Sequence, residues 1–185
     1  IGGLRATVLG MNDGLVSNFC LISGIVGGTN NTDLVILAGI AGLLAGALSM
    51  ATGEYISVRS QTDSYEFQIE KERLEIEQSP EEETRELALI YESKGLTKEE
   101  ANNVAEKIMS NPKIALDTMA REELGLNPSD LGSPWGSSLL SFLSFGIGAL
   151  IPLVPYLIGW TASTLLISGL LSGICLIIVG GTIGF

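Results

Sequence analysis

The last 55 residues of the chain, 131–185, contain no charged side chain. Two earlier stretches, 14–32 and 34–53, are also uncharged and consist mainly of apolar and small residues. An uncharged apolar stretch of about 20 residues is long enough to cross a bilayer core as a helix. A soluble protein with buried helices is the alternative, but so long an uncharged region would be very hard to keep in water. The sequence therefore predicts an all-α integral membrane protein.

Four spans are predicted, and each contains several glycines, which allow helices to approach closely in lipid. Their predicted ranges are 6–28, 34–57, 138–157 and 162–184. No secretory signal peptide is apparent, because the first stretch is long, rich in glycine and contains Asp13. The chain stops at Phe185 inside an apolar run, so we expect a fifth span to be absent from it.

Nearly all of the charge lies between the second and third spans. Residues 60–130 carry 18 acidic and 8 basic side chains, a net charge of −10 within a total of −11. The predicted domains are 1–59 with spans one and two, 60–133 as an acidic helical insert, and 134–185 with spans three and four. Arg5 and Arg59 flank the first two spans on one side, so the positive-inside rule predicts a cytoplasmic insert.

Helix start and stop residues predict that this insert is a bundle of helices. Residues 59–78 contain no Gly or Pro, which indicates that span two continues as one long helix. The segments 79–82 and 97–100 are typical of capped helix starts. A last helix begins at 111–112 and closes at Gly125. The apolar positions predicted to form a small core are Leu87, Ile90, Tyr91, Val104 and Ile108.

Acidic residues of the insert are spaced as pairs on single helix faces. The three pairs, one of which includes a methionine, are Glu72 and Glu75, Glu83 and Glu86, and Met119 and Glu123. Like charges at this spacing destabilise a helix unless a cation offsets their repulsion. Carboxylates with a thioether suit a divalent transition metal. The alternative is a solvated acidic face with Met119 as an ordinary core residue.

Ionisable residues in the spans indicate a second candidate site. Asp13 lies in span one, where a charge costs about 2.5–3.5 kcal/mol at a helix centre and normally faces a polar pathway. Met50 and Glu54 share one face of span two, so the three side chains are candidates to line a metal route. The alternatives are a lipid-facing Met50 and a Glu54 that marks the water boundary. Pro152 and Pro155 are predicted to break span three, which either frees carbonyls for a cavity or simply kinks the helix.

Four segments of the chain resemble the vacuolar iron transporter family, including its bacterial members. They are LGMNDG at 9–14, ALSMATGEY at 47–55, LDTMAREELGL at 116–126 and LIPLVPY at 150–156. The resemblance covers the whole chain. It implies a homodimer with five spans per subunit and a cytoplasmic metal-binding domain between spans two and three. It also implies exchange of ferrous iron, and in some members manganese, for protons.

The resemblance assigns site residues one by one. Asp13 and Met50 fall in the membrane pathway, with Glu54 as a further candidate. The cytoplasmic metal site would comprise Glu72, Glu75, Glu83, Glu86, Met119 and Glu123. Two positions depart from the plant-type pattern: Gly42 replaces a glutamate linked to proton coupling, and Ala120 replaces a second methionine. Glu54 is then a candidate for the proton role.

The expected function is export of Fe²⁺ from the cytosol in exchange for protons, with Mn²⁺, Zn²⁺ or Co²⁺ as substitutes. One rival is a membrane-anchored sensor or storage-linked protein. Another is a ferroxidase, which the absence of histidine and of a paired nucleophile and base disfavours. The expected partners are these ions, protons, the lipid bilayer and a second copy of the chain, but no nucleic acid. The expected location is the plasma membrane of a bacterium or a vacuolar-type membrane of a eukaryote.

Overall fold

A computed structural model describes residues 2–128, 132–160 and 163–181, with side chains from Ala6 onward, and these residues form helices and short connections. The helices are α1 (Gly2–Gly28), α2 (Thr32–Gln78), α3 (Pro80–Ser93), α4 (Lys98–Met109), α5 (Pro112–Glu122), α6 (Pro134–Leu157) and α7 (Thr164–Gly181). The all-α prediction is confirmed for this part of the chain. Two compact units result: a spanning unit of residues 1–58 and 133–185, and an acidic unit of residues 59–132.

Four helices, α1, α2, α6 and α7, are long and apolar enough to cross a membrane. Their outer surfaces carry large exposed apolar side chains such as Leu37, Leu170 and Ile177, as a lipid-facing surface requires. Helix α2 runs without interruption for 47 residues, as predicted, and its uncharged part has the length of one span. Helix α6 begins at Pro134, four residues before the predicted span. Of the predicted range 162–184, residues 162 and 182–184 lie outside the described part of the chain.

Helices α1 and α6 approach each other backbone to backbone at two glycines. A Cβ atom on Gly14 would collide with the carbonyl oxygen of Phe145, and one on Gly148 would collide with the carbonyl oxygen of Met11. Only glycine fits such a crossing, which is typical of helix packing in lipid. The crossing fixes the segment of α1 that contains Asp13 against α6.

The predicted break in span three is wrong, because α6 continues through Pro152 and Pro155 to Leu157. Prolines are tolerated inside membrane helices where neighbouring groups supply hydrogen bonds to the backbone. The Ser168 hydroxyl of α7 donates to the Pro152 carbonyl at 2.7 Å. In addition, the Asn18 side-chain amide of α1 donates to the Ala149 carbonyl at 2.6 Å. Both prolines are buried between helices, and neither lines the cleft described below.

Caps define the helices of the acidic unit. The capping box at Thr97 and Glu100 is present, with the Thr97 N–H donating to Glu100 Oε2 at 2.9 Å. Asn111 caps α5 by accepting from two backbone N–H groups. Ser79 precedes α3 as predicted but makes no side-chain capping bond. Gly125, at φ +65°, follows the end of α5 in the left-handed conformation that favours glycine.

The core of the acidic unit uses alanines where valine was expected. Its buried members are Leu87, Ala88, Ala101, Ala105 and Met119, with Tyr91 and Ile108 packed against them. Val104 is 36% exposed, so its predicted core position is wrong. Residues 101, 105 and 108 form the inward row of α4, and position 104 lies one residue off that row.

Candidate metal sites

Three carboxylates of the acidic unit converge on one point. Glu72 of α2, Glu83 of α3 and Glu123 at the end of α5 each offer an oxygen, and these three oxygens lie within 4.8 Å of one another. We call this group the triad. Glu72 is 2% exposed and Glu83 is 8% exposed, whereas Glu123 is exposed to solvent. Two members of the triad are therefore buried, and the third is open to solvent.

Basic side chains of the described residues do not neutralise the triad. Lys71 pairs with Glu75 at 2.9 Å, and Lys94 pairs with Glu122. None of the ion pairs between described residues includes a triad carboxylate, and Glu72 Oε1 is buried without a hydrogen-bond partner. A buried carboxylate that lacks a partner is costly and tends to hold a proton instead. A divalent cation among the three oxygens would remove that cost.

Burial and the charges of nearby carboxylates raise the pKa values of all three triad carboxyls. Burial, followed by the charges of Glu123 and Glu83, raises the pKa of Glu72 to about 8. The pKa of Glu83 is raised by burial first and then by the charges of Glu86 and Glu123. The pKa of Glu123 is raised by burial first and then by Glu86. At neutral pH the triad therefore holds a proton on Glu72, and a metal ion would have to displace it.

The remaining predicted residues of this site lie around the triad. Glu75 and Glu86 do not belong to the group within 4.8 Å, but their charges raise pKa values inside it. Met119 is fully buried in the core with Leu87 and Ala88. That position agrees with the alternative of an ordinary core residue. A role for the Met119 sulfur as a ligand stays a prediction.

The three candidates in the spanning unit line a single cleft of about 450 Å³ between α1 and α2. Asp13 projects from α1, and Met50 and Glu54 project from successive turns of α2. The other residues that line this cleft are Ser17, Asn18, Leu21, Gly42, Gly46, Ser49, Gly53 and Phe145. One cleft in the spans thus contains two carboxylates, a thioether and several uncharged polar groups.

The structure shows that two further residues, Gly42 and Asn18, line the cleft. Gly42 leaves the α2 side of the cleft without a side chain at that position. Asn18, which sequence analysis missed, is only 2% exposed, and its Oδ1 has no hydrogen-bond partner. In the sequence, the signal that could have identified Asn18 is that it is a polar amide within an uncharged apolar stretch.

A comparison with known families identifies the chain. The sequence model described as the VIT family matches residues 4–185. The chain belongs to the VIT family. The family resemblance inferred from the four sequence segments is thereby confirmed.

Curated relatives of this VIT family chain are named vacuolar iron transporters. The chain is 41% identical over 180 residues to one from Acanthamoeba castellanii, covering 93% of this chain and 65% of that protein. It is 36% identical over 165 residues to vacuolar iron transporter 1 of Oryza sativa subsp. japonica, covering 89% and 66%. It is 35% identical over 155 residues to vacuolar iron transporter 1 of Arabidopsis thaliana, covering 84% and 62%. The chain thus spans less than two thirds of the length of these relatives.

Membership of the VIT family and the four apolar helices together support a multi-pass membrane protein. The structure places all nine predicted site residues in or around two separate sites, the triad and the cleft. Which of those residues bind metal, and in which order, stays a prediction.

Proposed function

We propose that this protein transports divalent transition metal across a membrane, with Fe²⁺ as the main substrate and Mn²⁺, Zn²⁺ or Co²⁺ as weaker ones. The observation that carries the proposal is the cleft in which Asp13, Met50 and Glu54 meet. A carboxylate cluster in a water-exposed unit supports binding only. Carboxylates within spans are costly and normally line a route for an ion, so the cleft supports transport.

The ligand types support a transition metal over Mg²⁺ or Ca²⁺. Hard cations are bound by oxygen ligands alone. The cleft adds the Met50 thioether to its carboxylates, and soft sulfur ligands shift the preference toward transition metals. In the acidic unit we propose that the triad binds the ion, assisted by the charges of Glu75 and Glu86 and by the Met119 sulfur.

We further propose that metal moves in exchange for protons. The triad would collect metal on the cytosolic side, and the ion would then leave the cytosol through the cleft. Metal and protons compete for the same carboxylates, so an acidic far side promotes release of the metal. Gly42 supplies no carboxylate to the cleft, and we assign the proton role to Glu54. A homodimer with cytoplasmic acidic units completes this proposal.

A second candidate function is a membrane-anchored metal sensor or storage-linked protein. The observation that favours it is that all three triad residues belong to the acidic unit, so that metal binding there would need no residue of the cleft. In that case the cleft residues would matter for stability only. Transport and binding assays on the same variants separate the two functions.

The experiment is metal uptake by proteoliposomes that contain the purified protein. Fe²⁺ kept reduced is added outside, the lumen is made acidic, and trapped dyes report luminal metal and luminal pH. We expect metal uptake coupled to loss of luminal protons. Asp13→Asn and Met50→Leu should each slow uptake by about tenfold or more, whereas Asp33→Asn, which lies outside the cleft, should match the parent. Parent rates in both cleft variants would overturn the transport proposal in favour of the sensor.

A further inference from the structure

The side-chain oxygen of Asn18 is an unexplained feature of the cleft. Asn18 is 2% exposed, its Nδ2 donates to the Ala149 carbonyl at 2.6 Å, and its Oδ1 has no hydrogen-bond partner. A buried acceptor without a partner costs about 1–3 kcal/mol. Among the described side-chain oxygens that are buried and unpartnered, only that of Asn18 belongs to a residue lining the cleft.

The orientation of the Asn18 amide is fixed by its surroundings. If the amide were turned over, Oδ1 would lie 2.6 Å from the Ala149 carbonyl oxygen, and two acceptors would repel each other. The close crossing of α1 and α6 at Gly14 and Gly148 holds both partners of this hydrogen bond in place. Asn18 Nδ2 is therefore held in its hydrogen bond to α6, and Oδ1 remains without a partner.

Gly42 of α2 stands opposite that oxygen. A Cβ atom on Gly42 would lie 3.1 Å from Asn18 Oδ1 and would collide with the end of the Leu21 side chain. Oδ1 is almost fully covered in this structure, and a side chain at position 42 would crowd it further. Asn18 and Gly42 line the same cleft as Asp13 and Met50.

We propose that Asn18 Oδ1, which faces Gly42 of α2, is a ligand for the divalent cation in the cleft. This inference rests on the proposed transport function and adds one ligand to it. Side-chain amide oxygens are established ligands of divalent cations. An amide also carries no charge, so it avoids the cost of a further carboxylate within the membrane. The lining of the cleft thus offers a carboxylate, a thioether and a neutral oxygen.

A neutral ligand has a consequence for pH dependence. A carboxyl group at this place would have to lose its proton when metal binds at pH values near or below its pKa, whereas an amide oxygen releases none at any pH. Metal binding in the cleft is therefore less sensitive to pH than it would be with a carboxylate there. We therefore expect Asn18→Asp to make metal binding in the cleft more sensitive to pH.

The test is the KM for Fe²⁺ in the proteoliposome assay, with three variants. Asn18→Leu removes the oxygen, and we expect its KM to rise by about tenfold with a smaller change in kcat. Gly42→Ala leaves the Asn18 side chain unchanged but would place a methyl group 3.1 Å from Oδ1, so we expect its KM to rise as well. The control is Gly24→Ala, because a Cβ on Gly24 meets no atom within 4 Å and Gly24 does not line the cleft. The pH profile of Asn18→Asp should be steeper than that of the parent by one proton.

The outcomes separate this inference from the function on which it rests. A parent protein that moves no metal would overturn the transport proposal itself. A parent that transports, together with Gly42→Ala at the parental KM, would overturn the ligand role of Asn18 alone. An Asn18→Asp profile parallel to that of the parent would do the same. If Asn18→Leu does not fold, Gly42→Ala and Asn18→Asp still decide the question.

Discussion

The triad and the cleft handle charge in opposite ways. The triad concentrates three carboxylates within 4.8 Å, in a unit rich in charged residues, and burial with mutual repulsion raises the pKa of Glu72 to about 8. The cleft lies in the sparsely charged spanning unit and mixes two carboxylates with a thioether and an amide. Dense negative charge favours tight, proton-sensitive capture of a cation. Sparse charge suits an ion that must enter and leave a membrane, where each further carboxylate is costly.

The largest expected effect tests whether the triad is the high-affinity site. We expect Glu72→Gln combined with Glu83→Gln to weaken Fe²⁺ binding to the purified protein by about a hundredfold or more, because two of three charged oxygens become neutral. Binding is measured by competition with a metal-sensitive dye. Glu99→Gln, an exposed change on α4, serves as the control. Parental Fe²⁺ affinity in the double variant would show that the triad is not the high-affinity site.

The next effect concerns pH and should occur at the triad only. Below about pH 8 the Glu72 carboxyl is protonated, and a metal ion has to displace that proton. We therefore expect metal affinity to rise with pH by about tenfold per unit between pH 6 and 8. In Glu72→Gln the slope should fall by one proton. An unchanged slope in that variant would assign the titration to another group.

A smaller effect compares the two predicted sulfur ligands. Leucine has nearly the volume of methionine, so Met50→Leu and Met119→Leu should fold normally. We expect each to reduce the preference for Fe²⁺ over Mn²⁺ severalfold, Met50→Leu in transport and Met119→Leu in binding, because Mn²⁺ depends less on sulfur. Unchanged selectivity in Met119→Leu would leave that residue with a core role only.

The smallest effect is on stability without metal. The pKa of Glu72 is raised from about 4.5 to about 8 in the folded protein, so the unfolded chain loses this proton first as pH rises. The stability of the parent should therefore fall between those pH values. At pH 8.5 we expect Glu72→Gln to be more stable by on the order of 2 kcal/mol, several degrees in Tm, with the difference shrinking toward pH 5. A variant that melts with or below the parent at pH 8.5 would contradict the buried-charge explanation.

Sequence patterns predicted the positions of the helices better than they predicted which face of each helix is buried. Uncharged stretches gave the spans because bilayer thickness sets their length, and caps such as Thr97 and Asn111 marked helix starts through local bonds. Helical spacing paired Glu72 with Glu75 and Glu83 with Glu86. It did not indicate which member of each pair faces inward, because that depends on how three helices pack.

Misses in the sequence analysis have the same physical origin. Pro152 and Pro155 looked like a break, but α6 continues through both of them, buried against neighbouring helices. Asn18 was missed because its importance depends on Ala149 of α6 and Gly42 of α2. Contacts between residues of different helices are not visible in local periodicity.

The most direct test of the central claim measures binding and transport on the same two variants. The account predicts that Asp13→Asn keeps parental Fe²⁺ binding at the triad but loses most of its uptake into proteoliposomes. It also predicts that Glu72→Gln loses tight binding while uptake continues at high Fe²⁺ concentration, where capture is no longer limiting. Equal loss of binding and of uptake in both variants would contradict a division of work between triad and cleft.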